Sequence, residues 1–254
     1  MHLVSDVWSV GAYEELAGAL EPAHDELIER LAPVPAESWL DVATGTGEIA
    51  VRAAAAGARV TAIDVAPPLL EKARRAAEEA GLEIKFDLGD VEYLPYENAC
   101  FDVVASSFGL IFAPDHANVA AELARVSCSG ARLGFTAWRP DPKLGKLYRR
   151  FSEEPIDGRE AYEWGREDHV EAMLGEDFEL EFVDGTLWFE AESPEAVWEL
   201  FSTSAPPVVT LLDRLDEGRR EELHGAFVEH YEGYVRDGRV HVPRRYLLVL
   251  GSRH

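Results

Sequence analysis

The stretch Asp41-Val-Ala-Thr-Gly45-Thr-Gly47-Glu48 decides the fold of this 254-residue chain. An apolar segment precedes it, two glycines form its centre, and a helix pattern begins at Glu48. Glycine permits positive φ and lets a ligand approach the backbone closely. The start of a helix offers unpaired N–H groups to an electron-rich ligand group. The stretch therefore predicts a buried strand, a ligand-binding turn and a helix.

Strand and helix patterns alternate around this loop, which is typical of a parallel sheet with crossover helices. The strand patterns are nearly continuous in apolar residues, as in strands that are covered on both faces. The predicted strands are Trp39–Ala43, Arg59–Val65, Ile84–Gly89, Phe101–Ser106 and Arg132–Trp138. The predicted helices between them are Glu48–Ala56, Pro67–Ala80 and His116–Val126. The fold class is therefore α/β, with a doubly wound, mostly parallel sheet.

Less regular patterns flank this region. Val7–Leu31 predicts two short amphipathic helices, and Arg139–Gly165 predicts a loop with a short helix. The further predicted elements are helix Glu167–Leu174, strand Phe178–Phe189, helices Pro194–Phe201 and Gly218–Val235, and strand Arg245–Gly251. One sheet with a helical insertion between its last two strands fits better than two independent domains. We expect residues 1–35 to form an N-terminal helical lid, residues 36–138 a cofactor-binding core, and residues 139–254 the rest of the sheet with a helical substrate cap.

Acidic residues stand at the predicted carboxyl ends of the strands, where open α/β sheets bind ligands. Asp64 could accept both hydroxyls of a ribose, and Asp90 could accept from the exocyclic amine of adenine. Gly45-x-Gly47-x-x-Ala50 also fits the dinucleotide fingerprint. However, Asp41, which stands four residues before Gly45, and Asp90 together favour a ligand with a cationic amino-acid end and a nucleoside end. The alternative without a ligand is a plain strand–helix turn with solvated acids.

Four segments, in order, resemble the class I S-adenosylmethionine-dependent methyltransferases. The branch most similar contains the ubiquinone/menaquinone C-methyltransferases and many small-molecule enzymes. The segments are Asp41–Gly47, Asp64-Val-Ala-Pro-Pro-Leu-Leu70, Gly89-Asp-Val-Glu-Tyr-Leu-Pro95 and Phe101-Asp-Val-Val-Ala-Ser-Ser-Phe-Gly109. The resemblance covers residues 36–138 well and the remainder loosely. It implies a seven-stranded sheet with one antiparallel strand near its end, S-adenosylmethionine as cofactor, and a small methyl acceptor of apolar or aromatic character.

The resemblance also implies which residues bind the cofactor. The matching positions are Asp41, Ala43, Thr44, Gly45, Gly47, Asp64, Val65, Leu69, Asp90, Val91 and Ser106. By this likeness, Asp41 and the backbone of the glycine loop hold the methionine end, and Ser106 lines the sulfonium region. Two positions depart from the family, because Ala43 stands where glycine is usual and Pro68 replaces a usual acid.

The likeness assigns the nucleoside end to residues after the second and third strands. Asp64 binds the ribose, and Val65 and Leu69 pack on the adenine. Asp90 meets the adenine amine, and the N–H of Val91 meets an adenine nitrogen. The terminal motifs that are characteristic of the quinone enzymes are not visible in this sequence, which argues against a quinone acceptor.

The sequence names no catalytic residue, because transfer from a sulfonium depends largely on proximity and alignment. A base is needed only where the acceptor must lose a proton. Asp115-His116 follows the fourth strand, at the edge where such sites lie, and is a candidate for that base. We favour the alternative interpretation, a helix cap with an exposed histidine. No spacing of His, Cys, Asp or Glu resembles a zinc or iron site, so no metal is expected.

Aromatic residues in the less regular segments allow two interpretations. Either they line an acceptor pocket, or they form ordinary core, which is the more frequent role at such spacing. These residues are Trp138, Tyr148, Tyr162, Trp164, Trp188, Trp198 and Phe201. Near the N-terminus, Trp8 and Tyr13 could cover the cofactor or simply pack.

Composition limits the partners. The chain has 24 Lys+Arg against 48 Asp+Glu, a net charge of −24, and such a surface is a poor match for nucleic acid. There is no run of about 18 uncharged apolar residues that would predict a membrane span. The start of the chain has acids but no basic and apolar secretory pattern, so we expect a cytoplasmic protein.

The two cysteines, Cys100 and Cys128, predict neither a disulfide framework nor a metal cluster. Nothing in the sequence fixes the oligomeric state.

Two other functions stay open at this point. A nicotinamide-dependent oxidoreductase would fit the dinucleotide fingerprint, and it would bind NAD(P) rather than S-adenosylhomocysteine. A protein that holds S-adenosylmethionine without catalysis would bind the cofactor but transfer no methyl group to any acceptor of a broad panel.

Overall fold

A computed structural model describes residues 18–152 and 160–254. The first of the two predicted N-terminal helices, with Trp8 and Tyr13, lies outside these residues. Within them, no helix is long and apolar enough to cross a membrane. The helices are α1 Glu21–Leu31, α2 Glu48–Ala55, α3 Pro67–Glu79, α4 His116–Val126, α5 Pro142–Arg149, α6 Glu167–Leu174, α7 Pro194–Ser204, α8 Pro206–Arg214 and α9 Glu217–Glu232. The strands are β1 Ser38–Val42, β2 Arg59–Asp64, β3 Lys85–Leu88, β4 Phe101–Ser107, β5 Ser127–Trp138, β6 Phe178–Ala191, β7 Val235–Arg236 and β8 Arg239–Arg253.

The strands form a single sheet in the order β3-β2-β1-β4-β5-β8-β6. Strands β1 to β5 pair in parallel, whereas β8 is antiparallel to both of its long neighbours. The predicted doubly wound sheet and its one antiparallel strand near the end are therefore confirmed along this seven-stranded path. The short β7 pairs with β8 and adds an eighth strand.

The central strands are apolar because helices cover both faces of the sheet. Successive residues of β1 alternate between two cores, so Trp39 packs with α1 and α2 while Leu40 packs with α4 and α6. Both side chains are fully buried. The carboxyl edge between these two layers is where the loops after β1, β2, β3 and β4 meet.

A long β6–β8 ribbon extends beyond this edge. The last residue of β5, Trp138, pairs with Tyr246, whereas β6 and β8 continue pairing to Ala191 opposite Val240. Helices α7, α8 and α9 connect the two strands, and Val197 and Phe227 pack on the ribbon. The predicted helical insertion between the last two long strands thus lies at the carboxyl end of the parallel strands.

Several boundaries differ from the sequence prediction. Strand β5 begins at Ser127 rather than Arg132, with an irregular register opposite β4, so Cys128 lies inside the strand. Both cysteines are free and half-buried. Strand β8 begins at Arg239 rather than Arg245, and α8 was not predicted.

Candidate functional site

The loop after β1 turns through three residues with positive φ, which are Ala43 at 51°, Gly45 at 57° and Gly47 at 89°. Gly47 also packs closely against α3, because a Cβ atom there would lie 3.0 Å from the Cβ of Ala73. The N-cap residue of α2 is Gly47, which has no side chain to cap the helix. The N–H groups at the very start of α2 are therefore suited to a ligand carboxylate.

Asp41 lies buried beneath this loop, with 1% of its surface exposed. Its Oδ2 accepts from the Thr44 hydroxyl at 2.5 Å and from the Ala50 N–H at 3.1 Å. Its Oδ1 is buried and has no hydrogen-bond partner among the described residues. Burial raises the pKa of Asp41 to about 7, although these hydrogen bonds act to lower it. A cationic group nearby would favour the ionised carboxylate.

Asp64 ties the end of β2 to the same loop. Its Oδ2 accepts from the Gly45 N–H at 2.8 Å, and its Oδ1 accepts from the Ala66 N–H at 2.9 Å. Burial raises the pKa of Asp64, and its backbone hydrogen bonds oppose the shift. Each carboxylate oxygen has further acceptor capacity. The carboxylate can therefore hold the loop and still accept from two ribose hydroxyls.

The end of β3 joins this arrangement through the backbone. Gly89 donates to the carbonyl of Asp64 at 3.0 Å, which places Asp90 beside the β2 end. Asp90 is half-buried, and its Oδ1 accepts from the Glu92 N–H at 3.0 Å. Of the residues predicted to contact adenine, Leu69 and Val91 are buried and Val65 is half-buried, which suits an apolar contact.

The end of β4 closes the site from the other side. Ser106 is fully buried, and its Oγ accepts from the Leu110 N–H at 3.1 Å, so this hydroxyl supports the turn after the strand. A Cβ atom on Gly109 would lie 2.5 Å from the Ala43 carbonyl oxygen. The turn after β4 and the glycine loop therefore touch each other. Sequence reasoning did not identify Gly109 as a site residue, although it stands in the fourth quoted segment.

The predicted cap at α4 is confirmed, because Asp115 Oδ1 accepts from the Asn118 N–H at 3.0 Å. The expectation that His116 is exposed was wrong. His116 is half-buried, and its Nδ1 lies 2.9 Å from Nε2 of His169. Trp164 packs beside both histidines and is fully buried, so it belongs to the core rather than to an acceptor pocket. Within the described ranges, no three or more His, Cys, Asp or Glu residues are placed to hold a metal ion.

The site therefore consists of a glycine loop with two buried carboxylates, a helix start whose N-cap is a glycine, and apolar side chains near a third acid. Residues 40–130 match the family model described as a methyltransferase domain. The chain contains a methyltransferase domain. This confirms the resemblance to class I S-adenosylmethionine-dependent methyltransferases that the four sequence segments indicate.

Three comparisons extend beyond the domain match. An uncharacterised Mycobacterium tuberculosis protein is 35% identical over 180 residues, which cover 66% of this chain and 63% of that protein. The chain thus spans less than two thirds of the length of this relative. A demethylmenaquinone methyltransferase of Thermus thermophilus is 42% identical over 121 residues, 46% of this chain and 55% of the enzyme. A crystal structure of a candidate methyltransferase from Bacillus halodurans covers 90% of this chain and 97% of its own, with a TM-score of 0.66 at 23% identity. At that identity, the likeness shows the fold alone.

Proposed function

We propose that this methyltransferase domain binds S-adenosylmethionine and transfers its methyl group to a small molecule. The observation that carries the proposal is the hydrogen bond from the Gly45 N–H to Asp64 Oδ2. In a dinucleotide site the glycine loop and helix start face a pyrophosphate, whereas here a carboxylate takes the loop donor. A second carboxylate, Asp41, is buried under the same loop. Two acids would repel a pyrophosphate, and they suit a ligand with a cationic amino-acid end.

Each acid has a distinct role in the proposed complex. Asp41 stabilises the positively charged methionine end, Asp64 accepts the ribose hydroxyls, and Asp90 accepts the adenine amine. Val65 and Leu69 cover the faces of the adenine. The backbone of Ala43–Gly47 and the start of α2 hold the methionine carboxylate, and the Val91 N–H and Ser106 complete the site as their positions in the family imply.

The bound cofactor supplies an electrophilic methyl group on a sulfonium. The chain contributes mainly alignment and exclusion of water, and no general base is assigned. We propose that residues 36–138 hold the cofactor, that residues 1–35 act as a lid, and that residues 139–254 complete the sheet and place a cap over the acceptor. The name of the Thermus relative supports a small-molecule acceptor. The cytoplasmic location stays a prediction.

Calorimetry with S-adenosylhomocysteine, NAD and NADP tests the cofactor assignment, and S-adenosylhomocysteine alone should bind. Asp64→Ala should weaken this binding by about 10- to 150-fold, the equivalent of one hydrogen bond to a charged group. Asp87→Ala is the matched control, because Asp87 lies on the next strand and pairs with Lys85. Unchanged affinity in a folded Asp64→Ala protein would remove Asp64 from the site, and preferential NAD(P) binding would overturn the assignment. Binding without methyl transfer to a broad acceptor panel would indicate a non-catalytic binding protein.

A further inference from the structure

Arg244 occupies an unusual position on β8, where the ribbon leaves the main sheet. Val242 and Tyr246 lie on the same face of β8 as Arg244. Val242, toward the cap, packs with α7 and α9, and Tyr246, toward the main sheet, packs with α1. The side chain is half-buried. It therefore lies at the junction between the proposed acceptor cap and the cofactor-binding layer.

Aromatic rings hold the guanidinium in place. Its central carbon lies 5.1 Å from the ring centroid of Trp138, and Trp138 also stacks on Phe108 with ring centroids 4.1 Å apart. A cation over an aromatic face keeps its in-plane N–H donors available. Phe108 directly follows β4, where the cofactor's sulfonium region is proposed to lie. The stacked rings of Trp138 and Phe108 thus lie between Arg244 and the place where the methyl group would be transferred.

The surroundings of Arg244 offer donors but no paired anion. Burial acts to lower the pKa of Arg244, and four nearby groups raise it, which are Tyr162, Tyr231, Tyr148 and Asp141. Among the described residues, no hydrogen bond or ion pair joins Arg244 to another side chain, and none engages the three tyrosine hydroxyls. The Asp141 carboxylate caps α5 by accepting from the N–H groups of Lys143 and Leu144. None of the polar atoms of Arg244 or of the three tyrosines is a buried atom without a partner, so their donors stay accessible to an added acceptor.

An adjacent pocket has the same electrostatic character. It measures about 540 Å³, and its lining includes Pro243, which precedes Arg244 on β8, but not Arg244 itself. Its basic lining residues are Lys143, His230, Arg236 and His241, and no Asp or Glu among the described residues lines it. Burial lowers the pKa of His230, and among the charged groups near it Asp141 raises this pKa whereas Lys143 and Arg244 lower it. In a chain with a net charge of −24, a pocket whose described lining holds four basic residues and no acid is a local exception that favours an anion.

We propose that Arg244 binds an oxyanion of the methyl acceptor, so that the substrate is an aromatic or apolar molecule with a carboxylate or phosphate group. The proposal rests on the proposed methyltransferase function. The planar guanidinium matches either oxyanion with two parallel hydrogen bonds, and Tyr148, Tyr162 and Tyr231 can donate to the remaining oxygen atoms. The apolar part of the acceptor then extends from Arg244 past Trp138 toward the end of β4.

Calorimetry with 2-naphthoate, 2-naphthyl phosphate and neutral 2-naphthamide tests this inference on protein with and without saturating S-adenosylhomocysteine. At least one anion should bind about tenfold or more tightly than the amide, as expected of a charge-assisted hydrogen-bonded pair. The tighter of the two anions identifies the oxyanion class. Arg244→Gln should abolish the preference, and Arg244→Lys should keep part of it because the charge remains.

Arg245→Gln is the matched control, because Arg245 is the next residue, is 65% exposed and pairs with Asp184. If Arg244→Gln does not fold, Tyr162→Phe removes a single hydroxyl and should weaken only the binding of the anions, by about threefold or more.

Equal binding of the amide and both anions, or an anion preference that survives in Arg244→Gln, would overturn the proposal. Loss of S-adenosylhomocysteine affinity in Arg244→Gln, with the anion preference unchanged, would place Arg244 on the cofactor instead. Failure of the wild-type protein to bind S-adenosylhomocysteine would count against the proposed function, while the anion preference is read separately.

Discussion

At the scale of one residue, the buried carboxyl group of Asp41 makes the folded protein less stable at neutral and higher pH. A carboxyl group with an ordinary pKa near 3.8 is held where burial raises the pKa to about 7. The folded state therefore binds its proton more tightly than the unfolded state does. This contribution to stability is full below the unfolded pKa and is lost as the pH rises from about 4 to about 7. Above that range, the folded protein carries a buried charge without a full set of hydrogen bonds.

We predict that Asp41→Asn makes the protein more stable than wild type at pH 8, by on the order of 2 kcal/mol, since one pKa unit corresponds to about 1.36 kcal/mol. The gain should shrink toward pH 4, where the wild-type carboxyl is protonated. Urea unfolding of both proteins across this range measures the difference. Asp102→Asn is a control of opposite sign, because hydrogen bonds from Ser38 lower the pKa of Asp102. Parallel stability curves for wild type and Asp41→Asn would contradict the assignment of a buried, titrating Asp41.

The sequence predicts some site residues better than others for a physical reason. Gly45, Gly47 and Asp64 act through local backbone geometry and through their place at a strand end, and both are visible in the spacing of residues. Gly109 acts through a close approach to Ala43, which lies 66 positions earlier in the chain. Arg244 acts through packing on Trp138. Contacts of this kind depend on the completed sheet, so sequence spacing alone does not reveal them.

At the scale of elements, Gly45 in the loop between β1 and α2 has a structural role and a proposed binding role, and an experiment can separate the two. Gly45 needs positive φ, and its N–H must stay next to Asp64. Gly81, after α3, also has a positive φ of 68°, but a Cβ atom there would meet nothing within 4 Å. A β-branched residue would therefore cause similar backbone strain at Gly45 and at Gly81. Only Gly45 lies in the candidate site.

We predict that Gly45→Val weakens S-adenosylhomocysteine binding at least tenfold, whereas Gly81→Val leaves the affinity within about threefold. Both variants should lose stability, because valine tolerates positive φ poorly. Calorimetry gives the affinities, and circular dichroism confirms that the sheet is retained. Normal binding by Gly45→Val would show that the loop is only a turn.

Element boundaries follow the sequence where a local signal fixes them. Helix α4 matches its prediction at both ends, since Asp115 caps its start. The predicted elements do not include α8, although proline is favoured in the first turn of a helix and Pro206-Pro207 occupies that place here. The early start of β5 was missed because Gly130, with φ at 76°, interrupts the strand pattern, while pairing with β4 sustains the strand.

At the scale of the whole molecule, the net charge of −24 sets a competition between two electrostatic effects. Surplus negative charge destabilises the compact state through self-repulsion. Local ion pairs such as Arg30–Glu181 and Arg52–Asp25 oppose it, but exposed pairs contribute only about 0.2–1 kcal/mol each and are themselves screened. Because acids outnumber bases two to one, we expect long-range repulsion to outweigh the local pairs.

We therefore predict that raising NaCl from 10 to 150 mM, which shortens the screening length from about 30 to about 8 Å, stabilises the protein. Each kcal/mol gained should raise Tm by about 2–4 °C for a chain of this size.

The matched variant replaces Glu83, Glu179, Glu199 and Glu229 with Gln. These four side chains are exposed and form no ion pair with another described residue, and their loss reduces the net charge from −24 to −20. The variant should have a higher Tm at low salt and a smaller response to NaCl, whereas sucrose at equal osmolality should not distinguish the two proteins. A Tm that falls with salt in both proteins would show that the local ion pairs outweigh the repulsion, and that the acidic surface does not limit stability.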